Sequence, residues 1–323
     1  MQKNILCFFR AALGDFYLSF PLFYTLRNTY KKEKLTLVAS SLATPLLHEK
    51  GPWFDEIIHL KDYKPQKQFD RVFDLDINRT GMSATFKPDM DIFDILEASY
   101  EVTFNRKKFP ELFSLNYTDK EKEEVDELLE KTKRVDAKNI VIHTTHKDKF
   151  PYGKTPPQRW WEDLISLYPQ HNFYQVGTTI KLGDRIVPDY DFTGFAPNVF
   201  DVRDRCNLKQ TAYLLDQTDF YIAVDSVVAH LSLASQKRGL VLWGCSSMKI
   251  HSHGHNYNLS SKRPCAPCVD LSTNSNCCLY RDPSLYPKVD SVSRVLRENF
   301  LLQQPKKTGW LIEENKDSVP KNL

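Results

Sequence analysis

Two short apolar runs about two hundred residues apart, each passing through a polar turn into a helix, set the strongest limit on how this chain folds. The first is Ile5-Leu6-Cys7-Phe8-Phe9, followed by Arg10-Ala11-Ala12-Leu13-Gly14-Asp15. The second is Phe220-Tyr221-Ile222-Ala223-Val224, followed by Asp225-Ser226-Val227-Val228-Ala229-His230. In open α/β sheets, ligands bind at the carboxyl ends of strands, where helix N-termini offer unpaired N–H groups and a positive dipole end. Two such crevices in one chain predict two facing α/β domains with a cleft between them.

The 323 residues are enough for two domains with a core each. No apolar run approaches 18 residues, so no membrane-spanning helix is expected. A core strand begins within four residues of Met1, which leaves no room for a secretory signal and predicts a cytoplasmic protein. A net charge of +3 is too small to announce a nucleic-acid partner. The clusters Lys31-Lys32-Glu33-Lys34 and Arg106-Lys107-Lys108 read first as solvated surface and second as a contact for a polyanionic acceptor. Seven cysteines is an odd number, and four crowd into Cys265, Cys268, Cys277 and Cys278. In a cytosolic chain such a cluster suggests metal binding, redox chemistry or packing before disulfides.

From residue 4 the pattern alternates strand and helix, as in a parallel sheet wrapped by helices. Strands are predicted at 4–9, 35–39, 56–60 and 71–75, with helices at 15–30 and 91–100. Pro21 either bends the first helix or marks its true first turn. A charge-laced helix with a narrow apolar stripe, Val125, Leu128 and Leu129, lies within residues 118–138. The domain boundary is placed there: 1–134 and 135–285, then a C-terminal helix within 286–303 and a flexible tail at 304–323. In the second part, strands are predicted at 139–143, 172–176, 219–224 and 239–243. Helices are predicted at 158–168, from an Asn207 cap to Gln217, from Ser226, and at 289–300. Residues after Gly244 read as loop through 285.

Three constellations can carry chemistry. Asp15 opens a helix at the mouth of a sheet, where a carboxylate either favours the dipole end or serves as a general base. Thr144 and Thr145 follow a strand ending at His143, and Lys147, Lys149 and Lys154 share the next loop. Hydroxyls and ammonium groups above a helix N-terminus suit a diphosphate. Asp225 and Ser226 end a strand and start a helix containing His230, where N–H groups and the Ser226 hydroxyl can cradle a phosphate. The alternatives at that third site are an ordinary helix cap and a packed histidine.

Taken in order, these segments resemble glycosyltransferase family 9, the heptosyltransferase-like enzymes. The run 5–15 with Pro21 and Leu26 is similar to that family's opening strand, Leu-Gly-Asp turn and helix. Val141-Ile142-His143-Thr144-Thr145 with Lys154-Thr155-Pro156-Pro157 and Trp161 is similar to its Thr-rich turn and Lys-x-x-Pro segment. Phe192-Thr193-Gly194 resembles its Thr-Gly pair, and Asp225-Ser226 through His230-Leu231 and Ala234 its Asp-Ser-Gly-x-x-His segment. Gly244 with Cys265-Ala266-Pro267-Cys268 and Cys277-Cys278 resembles its cysteine-bearing tail. The resemblance implies a GT-B fold, two Rossmann-like domains facing across a cleft, with a nucleotide-diphosphate sugar as donor.

It further implies an inverting, metal-independent transferase in which Asp15 is the base. Thr144, Thr145, Lys149, Lys154, Asp225, Ser226 and His230 bind the donor, and Arg10 and Gly14 lie at the acceptor. No cofactor is expected. The acceptor implied is a lipopolysaccharide core or related surface glycan. Val227 stands where the family has Gly, and the loop between Thr145 and Lys154 is longer than usual.

Other readings follow from single features. The basic clusters and aromatics permit a phage-type enzyme that glycosylates hydroxymethylated bases of DNA. The cysteines, with His251, His253 and His255 nearby, offer zinc-type ligands and a non-catalytic zinc-stabilised binding protein. Asp74-Leu75-Asp76 mimics a metal-binding D-x-D. A dinucleotide-dependent oxidoreductase is disfavoured because the turn from Arg10 to Asp15 lacks G-x-G-x-x-G.

Overall fold

The computed structural model describes residues 2–10, 12–40, 46, 53–65, 69–75, 90–144, 154–179, 190–192, 194–235, 237–244, 246–261, 284 and 286–301. Two parallel sheets organise them. The first contains β1 (Asn4–Phe8), β2 (Lys34–Ala39), β3 (Glu56–His59) and β4 (Arg71–Asp74), in the order β3-β2-β1-β4. Ile5, Leu6 and Cys7 are all buried, as a strand covered on both faces requires.

The expected single helix after β1 is two, α1 (Leu13–Leu18) and α2 (Phe20–Thr29), divided at Ser19. The Ser19 hydroxyl donates to the Asp15 carbonyl at 2.8 Å. Pro21 lies in the first turn of α2, the position where its missing N–H costs nothing. Phe16, Phe20 and Phe23 still pack together, and Phe16 and Phe23 meet Phe9, with ring centroids 5.0 Å apart for Phe9 and Phe16. Fully burying each such side chain is worth about 1.5–3 kcal/mol, so this cluster anchors the helix pair on the sheet.

Next come α3 (Ile92–Tyr100), capped by Asp91, and α4 (Phe109–Phe113), where the sequence offered no clear element. The charged helix α5 (Asp119–Lys131) is capped reciprocally by Thr118 and Glu121.

The second sheet is built from β5 (Asn139–His143), β6 (Asn172–Gln175), β7 (Val199–Asp201), β8 (Phe220–Val224), β9 (Leu240–Trp243) and β10 (Tyr257–Ser260). Its order is β10-β9-β8-β5-β6-β7, parallel throughout. Its helices are α6 (Gln158–Ser166), α7 (Leu208–Gln217), α8 (Val227–Ser235) and the short α9 (Met248–His251). The stretch after Gly244, expected to be loop, thus contains α9 and β10. The last helix, α10 (Val289–Leu296), passes into a π-helical turn at Arg297–Leu301. It docks on α6 through Trp160 Nε1 donating to the Pro287 carbonyl at 2.8 Å.

Helix α5 leans on the second sheet's α7. Lys209 Nζ lies 2.8 Å from Glu121 Oε2, the Tyr117 and Tyr213 rings pack tilted with centroids 5.1 Å apart, and the Tyr117 hydroxyl donates to Asp216 at 3.1 Å. Among the described residues no helix is long and apolar enough to cross a membrane.

Candidate active site

In each sheet the strand sequence reverses direction at one point, between β1 and β4 in the first and between β5 and β8 in the second. Such a reversal opens a crevice at the carboxyl ends of the two strands. Arg10 follows β1 and Asp74 ends β4, so they flank the first crevice; Arg10 donates to Asp74 at 2.6 Å and lies over the Phe8 ring at 4.8 Å. Asp74, half of the D-x-D look-alike, is therefore engaged by an arginine, and Asp76 lies outside the described residues.

At the second crevice, Asp225 is buried and receives Lys154 Nζ at 2.8 Å and the Ser246 hydroxyl. Burial pushes its carboxyl upward, but Lys154, His251 and His230 outweigh that and hold it well below the usual carboxylate range. Ser226 Oγ lies 2.9 Å from His143 Nδ1. Burial pushes His143 down to about 4, which keeps its ring neutral. Gly177, at φ +129°, lets the loop after β6 pass beside that ring, because a Cβ there would sit 3.3 Å from His143 Cδ2. Thr144 is buried, and its hydroxyl accepts from Gln175 Nε2 at 3.2 Å.

The two crevices meet where α1 packs on α8. A Cβ added to Gly14 would sit 2.8 Å from His230 Cδ2 and 3.6 Å from Val227 Cα. Gly14, expected at the acceptor, forms this helix-to-helix contact, where an added side chain would force His230 to shift. Val227 is half-buried on the other side of it.

The same contact brings Asp15 beside the second sheet's charges. Its carboxylate accepts from the Ala12 N–H at 3.3 Å. Burial raises its pKa above the ordinary value; His251 and Lys154 pull it down, and Asp225 pushes it up. A carboxylate of raised basicity beside a lysine–carboxylate pair can take a proton from a hydroxyl while the lysine faces a departing anion.

His230 is buried with Nδ1 3.0 Å from His253 Nε2, and burial lowers it to about 4. The spacing of His251, His253 and His255 resembles a metal-ligand run, yet their rings go to different partners. His251 Nδ1 lies 3.2 Å from the Ser247 carbonyl, and His255 Nε2 lies 3.1 Å from Ser232 Oγ. Among the described residues no three His, Cys, Asp or Glu side chains gather as a metal site. Thr145, Lys149 and the zinc candidates Cys265, Cys268, Cys277 and Cys278 lie outside the described residues.

The sequence reading did not single out His143, Gly177, Ser246 or His251 as members of this site. The available signals were a histidine directly before the Thr144 turn, a glycine shortly after a strand, and a Ser-Ser pair after β9.

The chain superposes on the glycosyl transferase of family 9 from Veillonella parvula with a TM-score of 0.65 and 14% identity, over 94% of this chain and 99% of that one. For the iron-containing dodecameric glycosyltransferase TibC of enterotoxigenic E. coli the TM-score is 0.59 at 13% identity, over 92% and 76% of the chains. For the E. coli heptosyltransferase WaaC with ADP-2-deoxy-2-fluoro heptose it is 0.52 at 12%, over 92% and 99%. Comparison with curated protein sequences gives no match. The fold is GT-B. The family model of glycosyltransferase family 9 (heptosyltransferase) matches residues 98–278, more than half of the chain and the whole of the second crevice. The chain belongs to glycosyltransferase family 9.

Proposed function

We propose that this glycosyltransferase moves a sugar from a nucleotide-diphosphate sugar to an acceptor hydroxyl, with inversion at the anomeric carbon and Asp15 as the base. The observation that carries the reading is the meeting of Asp15 from the first crevice with the Lys154–Asp225 pair from the second, across the Gly14–His230 contact. The acceptor oxygen forms its bond to the anomeric carbon as its proton passes to the Asp15 carboxylate. The bond from that carbon to the diphosphate breaks, and the diphosphate leaves with the electron pair. Lys154, the Ser226 hydroxyl and the N–H groups opening α8 face the charge that develops. The reading is metal-independent because these groups supply the positive end themselves.

A nucleotide-sugar donor fits the WaaC complex with an ADP-heptose analogue. A lipopolysaccharide core or related surface glycan is the acceptor that fits the family's heptosyltransferases. Thr145 and Lys149 belong to the proposed donor set on sequence alone.

The test is titration calorimetry against ADP-, UDP- and GDP-sugars, followed by transfer assays with the donor that binds. Asp15→Asn lowers transfer at least about a hundredfold while donor affinity stays within about twofold. Proton NMR of the product reads the anomeric configuration, and a chelator leaves the rate unchanged. Full turnover in Asp15→Asn removes Asp15 as the base, and retention of configuration removes the single displacement.

A further inference from the structure

His143 ends β5, which lies between β8 and β6 at the point where the second sheet reverses its order. Register fixes what its imidazole can reach. His143 is paired with Ala223, just before Ser226, and its neighbour Ile142 is paired with Gln175, just before Gly177. The buried ring is therefore wedged between the turn that opens α8 and the turn that leaves β6. On one edge, Nδ1 lies 2.9 Å from Ser226 Oγ. On the other, a Cβ on Gly177 would sit 3.3 Å from both Cδ2 and Nε2, so that edge lies close against bare backbone.

A neutral imidazole carries one hydrogen for two nitrogens. Two arrangements satisfy the contact with Ser226. Either the serine hydroxyl donates to a bare Nδ1 and the hydrogen sits on Nε2, or Nδ1–H donates to Oγ and Nε2 is bare. Among the described residues Ser226 is the ring's only hydrogen-bond partner, so Nε2 is unmatched in both. Buried N–H groups are left without an acceptor more rarely than acceptors are left without a donor, which places the hydrogen on Nδ1. The ligand side agrees. A diphosphate oxygen only accepts, so a hydroxyl facing it must donate, and its lone pairs are then free to accept from Nδ1–H.

We propose that His143 is a positioning residue for Ser226: its Nδ1–H donates to Oγ and leaves the hydroxyl proton turned toward the diphosphate of the donor. This rests on the reading of the second crevice as the nucleotide-sugar site. His143 neither gives nor takes a proton in the transfer step; it fixes which way the Ser226 hydroxyl points. Gly177 completes the device by letting backbone, with no side chain, close the far edge of the ring.

Nitrogen-15 NMR of histidine-labelled wild-type protein, assigned with His143→Asn, reads which ring nitrogen carries the hydrogen, free and with ADP, UDP or GDP. The expected pattern is a neutral ring with its hydrogen on Nδ1 in both states. Calorimetry with the nucleotide that binds then compares His143→Phe, His143→Asn, Ser226→Ala and the double variant His143→Phe with Ser226→Ala. Loss of a hydrogen bond to a charged group weakens binding about tenfold or more, so Ser226→Ala and His143→Phe each show that loss. The double variant is no weaker than the weaker single one, because both remove the same contact. His143→Asn, whose amide N–H stands where Nδ1–H does, stays within about threefold of the wild type. A hydrogen on Nε2 in the nucleotide complex, losses that multiply in the double variant, or His143→Asn as weak as His143→Phe overturns the proposal. The tautomer is read on the wild type, so it decides even if His143→Phe fails to fold. A hydrogen on Nδ1 in a protein that binds none of the three nucleotides keeps the His143–Ser226 pairing and overturns its role toward a donor, along with the reading of this crevice.

Discussion

Lys154→Met strips the cation from the Lys154–Asp225 pair, and the geometry sets what that costs. Nζ and Oδ2 are 2.8 Å apart, with side-chain exposures of 15% and 7%. At that separation and an effective dielectric of about 20, the attraction is about 6 kcal/mol. Desolvating the two ions takes back much of it. Removing Lys154 leaves the desolvation of Asp225 in place without the attraction, a loss of about 3 kcal/mol, the low end for a broken buried pair because the Ser246 hydroxyl still donates to Asp225.

The pH dependence has a fixed sign. In the wild type Asp225 is held below its unfolded value, so the pair's contribution is present above that value and is lost as pH falls through the folded one. In Lys154→Met the stranded carboxyl moves upward, and the variant loses stability as pH rises. The gap between the two proteins is therefore wider at pH 7 than at pH 5. Urea unfolding at both pH values measures it, and Asp225→Asn with Lys154→Met closes the double-mutant cycle. A cost below about 1 kcal/mol at pH 7, or additive single variants, refutes a buried, coupled pair.

Gly14→Ala places a Cβ 2.8 Å from His230 Cδ2, and His230 is itself held by His253, so unfolding free energy falls by about 1–3 kcal/mol. Gly194→Ala, whose Cβ meets nothing within 4 Å, is the control and changes stability by no more than about 0.5 kcal/mol in the same urea assay. Burial raises Asp216 to about 6, with Tyr117 and Lys237 opposing. Stability of the α5–α7 contact is therefore lost as pH rises from the ordinary carboxylate value to about 6. Asp216→Asn flattens that slope and stabilises the protein at pH 7 by about 1 kcal/mol after discounting for solvent screening, measured by thermal unfolding across pH 4–8.

The parallel sheets were legible because their central strands are continuous apolar runs next to capped, periodic helices. Asn139–His143 and the helix from Asn207 to Gln217 are found where expected. The missed strands are short edges. β7 has three residues, and β10, Tyr-Asn-Leu-Ser, is half-exposed and takes its form from pairing with β9. No pattern internal to either segment distinguishes it from loop. The charges at strand ends were legible too, since Asp15, Asp225 and Ser226 each follow an apolar run. What they touch was not. That Lys154 reaches Asp225 and that Gly14 seats His230 depend on how α1 crosses α8, which no local spacing encodes.

The site has its polar groups satisfied before any substrate arrives, and this bears on how a donor enters. Asp225 holds Lys154 and Ser246, and Ser226 holds His143. On the proposed donor reading, a diphosphate gains Lys154 only by sharing it with Asp225, so two anions compete for one ammonium. On that reading a diphosphate carries more charge than a single carboxylate and adds contacts to the N–H groups opening α8. The Lys154–Asp225 pair thus sets, on the same reading, a charge requirement: an anionic ligand competes with Asp225 for the ammonium, and a neutral one does not.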